Sequence, residues 1–234
     1  MEVHALFDGL AWLTAAITAV LLRRTYGAEF GSGGQRPATA YLAAVIVGAA
    51  LGAYGLGTLN TWLAGQAGVA RSIEGALAGA IVAVESYKLT HGIRGRTALL
   101  YALPVALGIA VGRIGCFLAG MDDFTYGTPT TLPWGHDFGD GVLRHPVQLY
   151  ETAAMLVFAI AYGIALAGRR KWIIDNGFSL LVLWYGTERF ALEPLKPYPT
   201  LIGGLTVFQV VCLGMVIYAL ILLRPKRLPD AQRA

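Results

Sequence analysis

The chain has 234 residues, 56% of them hydrophobic and 14% charged, where soluble globular chains hold roughly 45–50% and about 25%. With a positive mean hydropathy, this balance excludes an ordinary soluble domain and points to an integral membrane protein. The net charge of +4 is not a nucleic-acid signal, because the basic residues sit at the ends of apolar runs, as the positive-inside rule expects.

A membrane span needs about 20 mostly apolar residues, and seven stretches of the chain qualify. The first is about Ala5–Leu22, stopped by Arg23 and Arg24. It lacks the basic start and small-residue exit of a cleavable signal peptide, so it is expected to remain as a span. The second, about Thr39–Leu63, carries Gly48, Gly52, Gly55 and Gly57, which predict close helix packing. The third, about Ile73–Leu89, holds Glu74 and Glu85. The fourth, about Leu99–Ala119, holds Arg113. A polar connector follows, with Asp122, Asp123, Asp137 and Asp140 among Phe124, Tyr126, Trp134 and Phe138. A connector this long is usually functional or disordered. Its aromatic residues argue for a folded cap or small hairpin, about 120–146, at headgroup level. The fifth run is about Val147–Ala167, stopped by Arg169, Arg170 and Lys171. The sixth, about Gly177–Leu192, ends at Arg189 and Glu193. The seventh is about Leu205–Leu223, stopped by Arg224, Lys226 and Arg227.

The fold class expected is therefore an all-α integral membrane protein. A single transmembrane domain of seven helices occupies residues 1–234, with the N-terminus outside and the C-terminus inside. That orientation leaves Arg71, Arg113, Arg144, Arg189 and Lys196 outside. It puts Arg23, Arg24, Arg36, Lys88, Arg94, Arg96, Arg169, Arg170, Lys171, Arg224, Lys226, Arg227 and Arg233 inside. Gly31-Ser32-Gly33-Gly34 reads as a short flexible inner loop.

Several charges lie where a membrane makes them costly. Arg113 stands about six residues from the end of its run, roughly 9 Å deep at 1.5 Å per residue. An arginine at bilayer depth costs about 2.5–3.5 kcal/mol on insertion scales and is by default a functional candidate. The competing account is a snorkelling anchor. Gly112 and Gly115 read as clearing space beside its guanidinium, whose planar donor fork suits a phosphate. Arg189 and Glu193 are spaced i, i+4 on one helix face, with Tyr185 a turn earlier; a structural ion pair is the plainer reading. Glu188 is expected to point away from that face.

His145-Pro146 reads as a helix start with Pro146 at its first position, and Gln148 and Glu151 share a face. His145 is a candidate general base, or simply an interfacial cap. Glu74 lies at the start of the third run, where a carboxylate also suits the helix dipole. Glu85, with Lys88 three residues on, reads as structural. Cys116 and Cys212 suggest neither a disulfide framework nor a zinc site. His4, His91 and His136 lack metal-ligand spacing and read as surface residues. No metal and no organic cofactor is implied.

The run Gly112-Arg113-Ile114-Gly115-x-Phe117, followed by His145-Pro146-x-Gln148-Leu149-Tyr150-Glu151, resembles the prolipoprotein diacylglyceryl transferase family. Tyr185-Gly186-x-x-Arg189-Phe190-x-x-Glu193 is similar to its later arginine motif, and Leu205-Thr206-x-x-Gln209 to the start of its last span. The resemblance implies transfer of a diacylglyceryl group from phosphatidylglycerol to the lipobox cysteine at a prolipoprotein signal peptide. Glycerol phosphate leaves, at the outer face of the bacterial inner membrane. It implies that Arg113 and Arg189 handle the phosphate, with His145 or Glu74 as base. Gly112, Gly115, Cys116, Gln148, Tyr150, Glu151, Tyr185 and Glu193 would line the site.

Three positions depart from the family pattern. Glu74-Gly75-Ala76 stands for His-Gly-Gly, Cys116 for asparagine, and Gly52-Ala53-Tyr54 for Gly-Gly-Arg; the usual Asn-Gly-Glu is also missing after Ala119. A paralogue with a different acceptor, or a lipid-binding or transport protein without chemistry, are the alternatives.

Overall fold

A computed structural model describes residues 2–30, 39–93 and 99–223. Seven α-helices run through them: α1 (Glu2–Phe30), α2 (Thr39–Leu63), α3 (Ile73–Thr90), α4 (Ala102–Ala119), α5 (Val147–Ala167), α6 (Lys171–Leu192) and α7 (Val207–Leu223). Four helical stretches, Val3–Ala28, Thr39–Leu63, Leu99–Asp122 and Val147–Ala167, are long and apolar enough to cross a membrane. Helices α3 and α6 carry charges along their length, and α7 has 17 residues. The Gly31–Gly34 loop and Arg36, Arg94, Arg96, Arg224, Lys226, Arg227 and Arg233 lie outside the described residues.

Helix bounds differ from the apolar runs in an instructive way. Helix α1 continues past Arg23 and Arg24 to Phe30, with a kink at Tyr26 (φ −126°, ψ 19°). Helix α6 starts at Lys171, six residues before Gly177. Arginine and lysine end an apolar run, yet both are good helix formers, so the backbone continues. Helix α4 is preceded by a 3₁₀ turn at Leu99–Tyr101. Pro146 falls one residue before α5 rather than at its first position.

The neighbouring pairs α2–α3, α4–α5, α5–α6 and α6–α7 run antiparallel, as do α1 and α4. Glycines on α2 and α3 bring the backbones together at Gly48 against Gly79 and Gly52 against Gly75. Gly115 of α4 meets Phe7 of α1, and Gly112 meets Ala11. Thr152 Oγ1 of α5 donates to the Ala110 carbonyl of α4 (3.3 Å). Trp184 Nε1 of α6 donates to the Ala154 carbonyl of α5 (3.0 Å). Gln209 of α7 reaches the Phe190 carbonyl of α6. One end of the bundle therefore collects the starts of α1, α3, α5 and α7 and the ends of α2, α4 and α6.

The core between them is apolar: Ala102, Ala106, Met155, Leu181, Val182, Cys212 and Ala219 are fully or almost fully buried. Outward faces are equally apolar. Leu6, Ile46, Leu51, Ile160, Ile164 and Ile221 all stand more than half exposed. Water would not tolerate so wide an apolar surface; a bilayer's hydrocarbon matches it, and the chain is a multi-pass membrane protein.

The long connector is folded, as its aromatics predict. A short hairpin pairs β1 (His136–Asp137) with β2 (Leu143–Arg144). Asp137 Oδ1 accepts from the Gly139 and Gly141 amides (2.8 and 3.0 Å), and Asp140 Oδ2 from Arg144 Nη2 (2.6 Å). A second hairpin, β3 (Thr200–Ile202) with β4 (Leu205–Thr206), precedes α7. The two loops dock: the Thr128 amide donates to the Leu195 carbonyl (2.7 Å) and Tyr198 Oη to the Phe124 carbonyl (2.9 Å).

Candidate active site

Where the helix ends converge, the bundle buries a cluster of charges. Arg113, near the end of α4, points Nε at Glu151 Oε2 in the first turns of α5 (2.8 Å). Glu151 Oε1 also accepts from Lys196 Nζ (2.9 Å) and lies 3.5 Å from Arg189 Nε near the end of α6. Arg189 Nη1 pairs with Glu193 Oε2, four residues on. Its Nε stands 3.5 Å from Oε2 of Glu74, at the start of α3. Each of these six residues is buried, none more than 6% exposed. Effective desolvation penalties reach several kcal/mol per buried ion, so such charges persist only when partnered on several sides.

Neutral groups complete the framework. Thr206 and Gln209 form a reciprocal cap on α7. The Thr206 amide donates to Gln209 Oε1 (3.1 Å), and the Gln209 amide to Thr206 Oγ1 (3.2 Å). The Thr206 hydroxyl donates in turn to Glu193 Oε1 (2.6 Å), which ties the α7 start to the Arg189 pair. Cys212 Sγ donates to Glu74 Oε1 (3.3 Å). The Arg189 guanidinium lies 5.2 Å from the Phe208 ring centroid. Lys196, in the loop after α6, has its ammonium pushed down to about 8, by burial first and then by Arg189, against the opposing pull of Glu151.

Some polar atoms here are buried yet have no hydrogen-bond partner among the described residues: Tyr185 Oη, Gln148 Oε1 and both carboxylate oxygens of Glu188. Tyr185 lies among Arg113, Glu74, Arg189 and Glu151. Unsatisfied buried groups cost about 1–3 kcal/mol each. Of these, the Tyr185 hydroxyl can donate to an anion, whereas Gln148 Oε1 and the Glu188 oxygens can only accept, as from a hydroxyl.

A model of the prolipoprotein diacylglyceryl transferase family matches residues 9–224 of the chain. The chain belongs to that family.

Its relatives include the phosphatidylglycerol–prolipoprotein diacylglyceryl transferases of Wolbachia sp. subsp. Brugia malayi, Methylococcus capsulatus and Wolinella succinogenes. The first is 33% identical over 172 residues, 70% of this chain and 63% of the relative. The second is 34% identical over 167 residues, 65% and 60%. The third is 35% identical over 158 residues, 64% and 56%. The chain thus spans less than two thirds of the length of these relatives. No solved structure matches it.

Of the candidate residues read from the sequence, Arg113, Arg189, Glu151, Glu193 and Tyr185, which carry the transferase resemblance, come together in the cluster with Glu74, which departs from it. Gln148 borders them, with Nε2 3.3 Å from Thr125 Oγ1. His145 does not join them. It is half-buried in the cap, with Nδ1 3.4 Å from Tyr150 Oη, which accepts from Trp134 Nε1 (2.8 Å). Tyr150, in the first turn of α5, therefore faces the cap rather than the cluster. Gly112 and Gly115 face away from the guanidinium: a side chain on Gly115 would strike Phe7, and one on Gly112 would touch Ala11 and Ile73. Their small size seats α1 against α4. Cys116 is buried with Sγ 3.9 Å from Arg113 Nη1.

Sequence reasoning missed Lys196 and Glu188. Lys196 continues the spacing of Arg189 and Glu193 at i+7, a signal that Pro194 hides. Glu188 turns into the neighbourhood of Glu151 rather than away. His4, expected at the surface, reaches Cys116 on α4.

Proposed function

We propose that the chain transfers the diacylglyceryl group of phosphatidylglycerol to the cysteine thiol of prolipoproteins and releases glycerol phosphate. The carrying observation is the pair of buried arginines, Arg113 and Arg189, held at one end of the bundle by Glu151, Glu193 and Glu74. Together with family membership, this supports a site that receives a phosphodiester. The guanidinium forks of Arg113 and Arg189 bind the phosphate and stabilise the charge that grows on the departing oxygen. Lys196 adds a third positive charge. Glu151 and Glu193 fix the arginines so that little reorganisation is needed at the transition state. Tyr185 and Gln148 offer polar contacts to the headgroup. Glu74 shares Arg189 and contributes to its orientation.

In this reading the chain is one transmembrane domain of seven spans, with its N-terminus and the cap over residues 120–146 outside and the C-terminus inside. Phosphatidylglycerol enters sideways from the outer leaflet of the bacterial inner membrane. The lipobox cysteine arrives from the aqueous side.

The test uses purified protein in detergent, phosphatidylglycerol labelled in its acyl chains, and a lipobox peptide. Label on the peptide cysteine together with free glycerol phosphate, both lost in Arg113→Ala, supports the reading. Phosphatidylglycerol left intact in the presence of peptide overturns it.

A further inference from the structure

Three carboxylates of the cluster are committed to cations: Glu151 to Arg113 and Lys196, Glu193 to Arg189, Glu74 to Arg189. Glu188 shares in none of these ion pairs. Both of its oxygens are shielded from water and lack a hydrogen-bond partner among the described residues. First among its charged neighbours is another carboxylate, Glu151, ahead of Arg189, Arg113 and Lys196. A structural role does not account for this placement, because burying a carboxylate without a partner costs stability.

Its position in the fold says what could satisfy it. Leu180, Trp184 and Glu188 follow at four-residue spacing and so lie along one ridge of α6. Leu180 and Trp184 line an apolar groove of about 310 Å³ between α5 and α6, together with Phe158, Tyr162 and Leu183. Trp184, 39% exposed, spans the seam to the Ala154 carbonyl of α5 (3.0 Å). The groove thus opens on the outward apolar surface of the bundle. Glu188 stands one turn beyond Trp184 toward the cluster end, as Glu151 stands one turn beyond Ala154 on the antiparallel α5. Gln148, a further turn along α5, is fully buried and presents a second unpartnered acceptor, Oε1. The arrangement is apolar along the seam, cationic at Arg113 and Arg189, and rich in unused acceptors between them.

We propose that Glu188 accepts a hydrogen bond from a hydroxyl of the lipid headgroup and so selects a phosphodiester that carries a neutral polyol. This rests on the transfer reaction proposed above and assigns its choice of donor lipid. Arg113 and Arg189 read the phosphate, which every phospholipid shares, and cannot tell one headgroup from another. Glu188 reads what lies beyond the phosphate. A hydroxyl donating to a carboxylate makes a short, charge-assisted bond. A headgroup without a hydroxyl leaves the carboxylate buried and unpaired, so it is rejected without any clash. The contact is to the departing glycerol phosphate rather than to the reacting carbon.

The experiment measures peptide labelling by the full chain in detergent with two acyl-labelled donors. One is phosphatidylglycerol. The other is phosphatidylpropanol, which keeps the phosphodiester and a three-carbon headgroup but has no hydroxyl. Wild type is expected to prefer phosphatidylglycerol roughly ten- to a hundredfold in kcat/KM, the range that a hydrogen bond to a charged group spans. Glu188→Ala is expected to lose most of that preference, through a lower kcat/KM for phosphatidylglycerol. Glu188→Gln keeps the volume and one carbonyl acceptor without the charge, so its preference should fall between the two. It decides the question alone if the alanine variant does not fold. An equal loss on both donors is what a structural role would give, and it overturns the proposal. So does a preference that survives both substitutions, or a wild type that treats the two donors alike. Each of these outcomes leaves the transfer reaction standing. A wild-type protein that labels no peptide from either donor overturns both.

Discussion

Glu151 meets three cations from three parts of the chain: Arg113 on α4, Arg189 on α6 and Lys196 in the following loop. Removing one partner of a buried ion pair costs about 3–5 kcal/mol, because the other charge is left uncompensated. Glu151→Gln keeps the shape and loses the charge. It is expected to lower the thermal midpoint in detergent by several degrees and to abolish peptide labelling; an unchanged midpoint would show that the cluster does not depend on this carboxylate. Lys196 gives a pH signature. In the folded protein its ammonium is pushed from the ordinary 10.5 down to about 8. As pH rises through 8 the site loses one positive charge, so the Kd for phosphatidylglycerol is expected to rise. Folding stability moves the other way. Between about 8 and 10.5 the unfolded chain binds more protons at this lysine, so this group's contribution increases with pH. Binding titrations from pH 7 to 10 on wild type and Lys196→Met separate the two, since the variant should bind more weakly at neutral pH and lack this step.

The polar groups that sequence spacing could find were those on one helix face, such as Arg189 with Glu193 and Gln148 with Glu151. Residues joined across helices were not legible. Lys196 follows a proline, and His4 reaches Cys116 across 112 positions. Such partners depend on helix rotation and depth, which periodicity does not fix.

Helices α2 and α3 show what a small-residue face does at the scale of an element. A Cβ on Gly52 would strike the Gly75 carbonyl and the Gly79 Cα, both backbone atoms. The helices would have to separate, and α3 carries Glu74 toward Arg189. Gly55, one turn on, has open space around its Cβ position. Gly52→Ala is therefore expected to destabilise the protein by about 1–3 kcal/mol. Gly55→Ala should be neutral or stabilise by up to about 1 kcal/mol, as alanine does in a helix interior. Unfolding in graded denaturing detergent distinguishes them, and equal effects would contradict the close approach of α2 and α3. The glycine content of α2 made that packing legible in advance, and the bounds of α2 and α5 coincide with their apolar runs. The ends of α1 and α6 do not coincide, since hydropathy ends where charge begins while helical hydrogen bonding continues. The hairpin between α4 and α5 was foreseeable from its aromatics. The β3–β4 hairpin was not, because Gly203-Gly204 lay inside what reads as the lead-in to the last span.

At the scale of the whole molecule, the antiparallel order gathers the cluster, the cap and the second hairpin at one end. The described inner candidates, Arg23, Arg24, Lys88, Arg169, Arg170 and Lys171, lie toward the opposite end. Basic residues are retained on the cytoplasmic side of membrane proteins, so the cluster end should face outward. Both native thiols, Cys116 and Cys212, are buried, which leaves a quiet background for cysteine labelling. Thr131, exposed in the cap, and Lys171, exposed at the start of α6, report on the two ends. A membrane-impermeant maleimide added to intact spheroplasts is expected to modify Thr131→Cys at once and Lys171→Cys only after the membrane is opened. The reverse pattern would turn the site toward the cytoplasm, away from the side on which secreted prolipoproteins present their cysteine. Equal labelling of both in sealed cells would mean that the two ends do not lie on opposite sides of the membrane, and the seven-span count would fall with it.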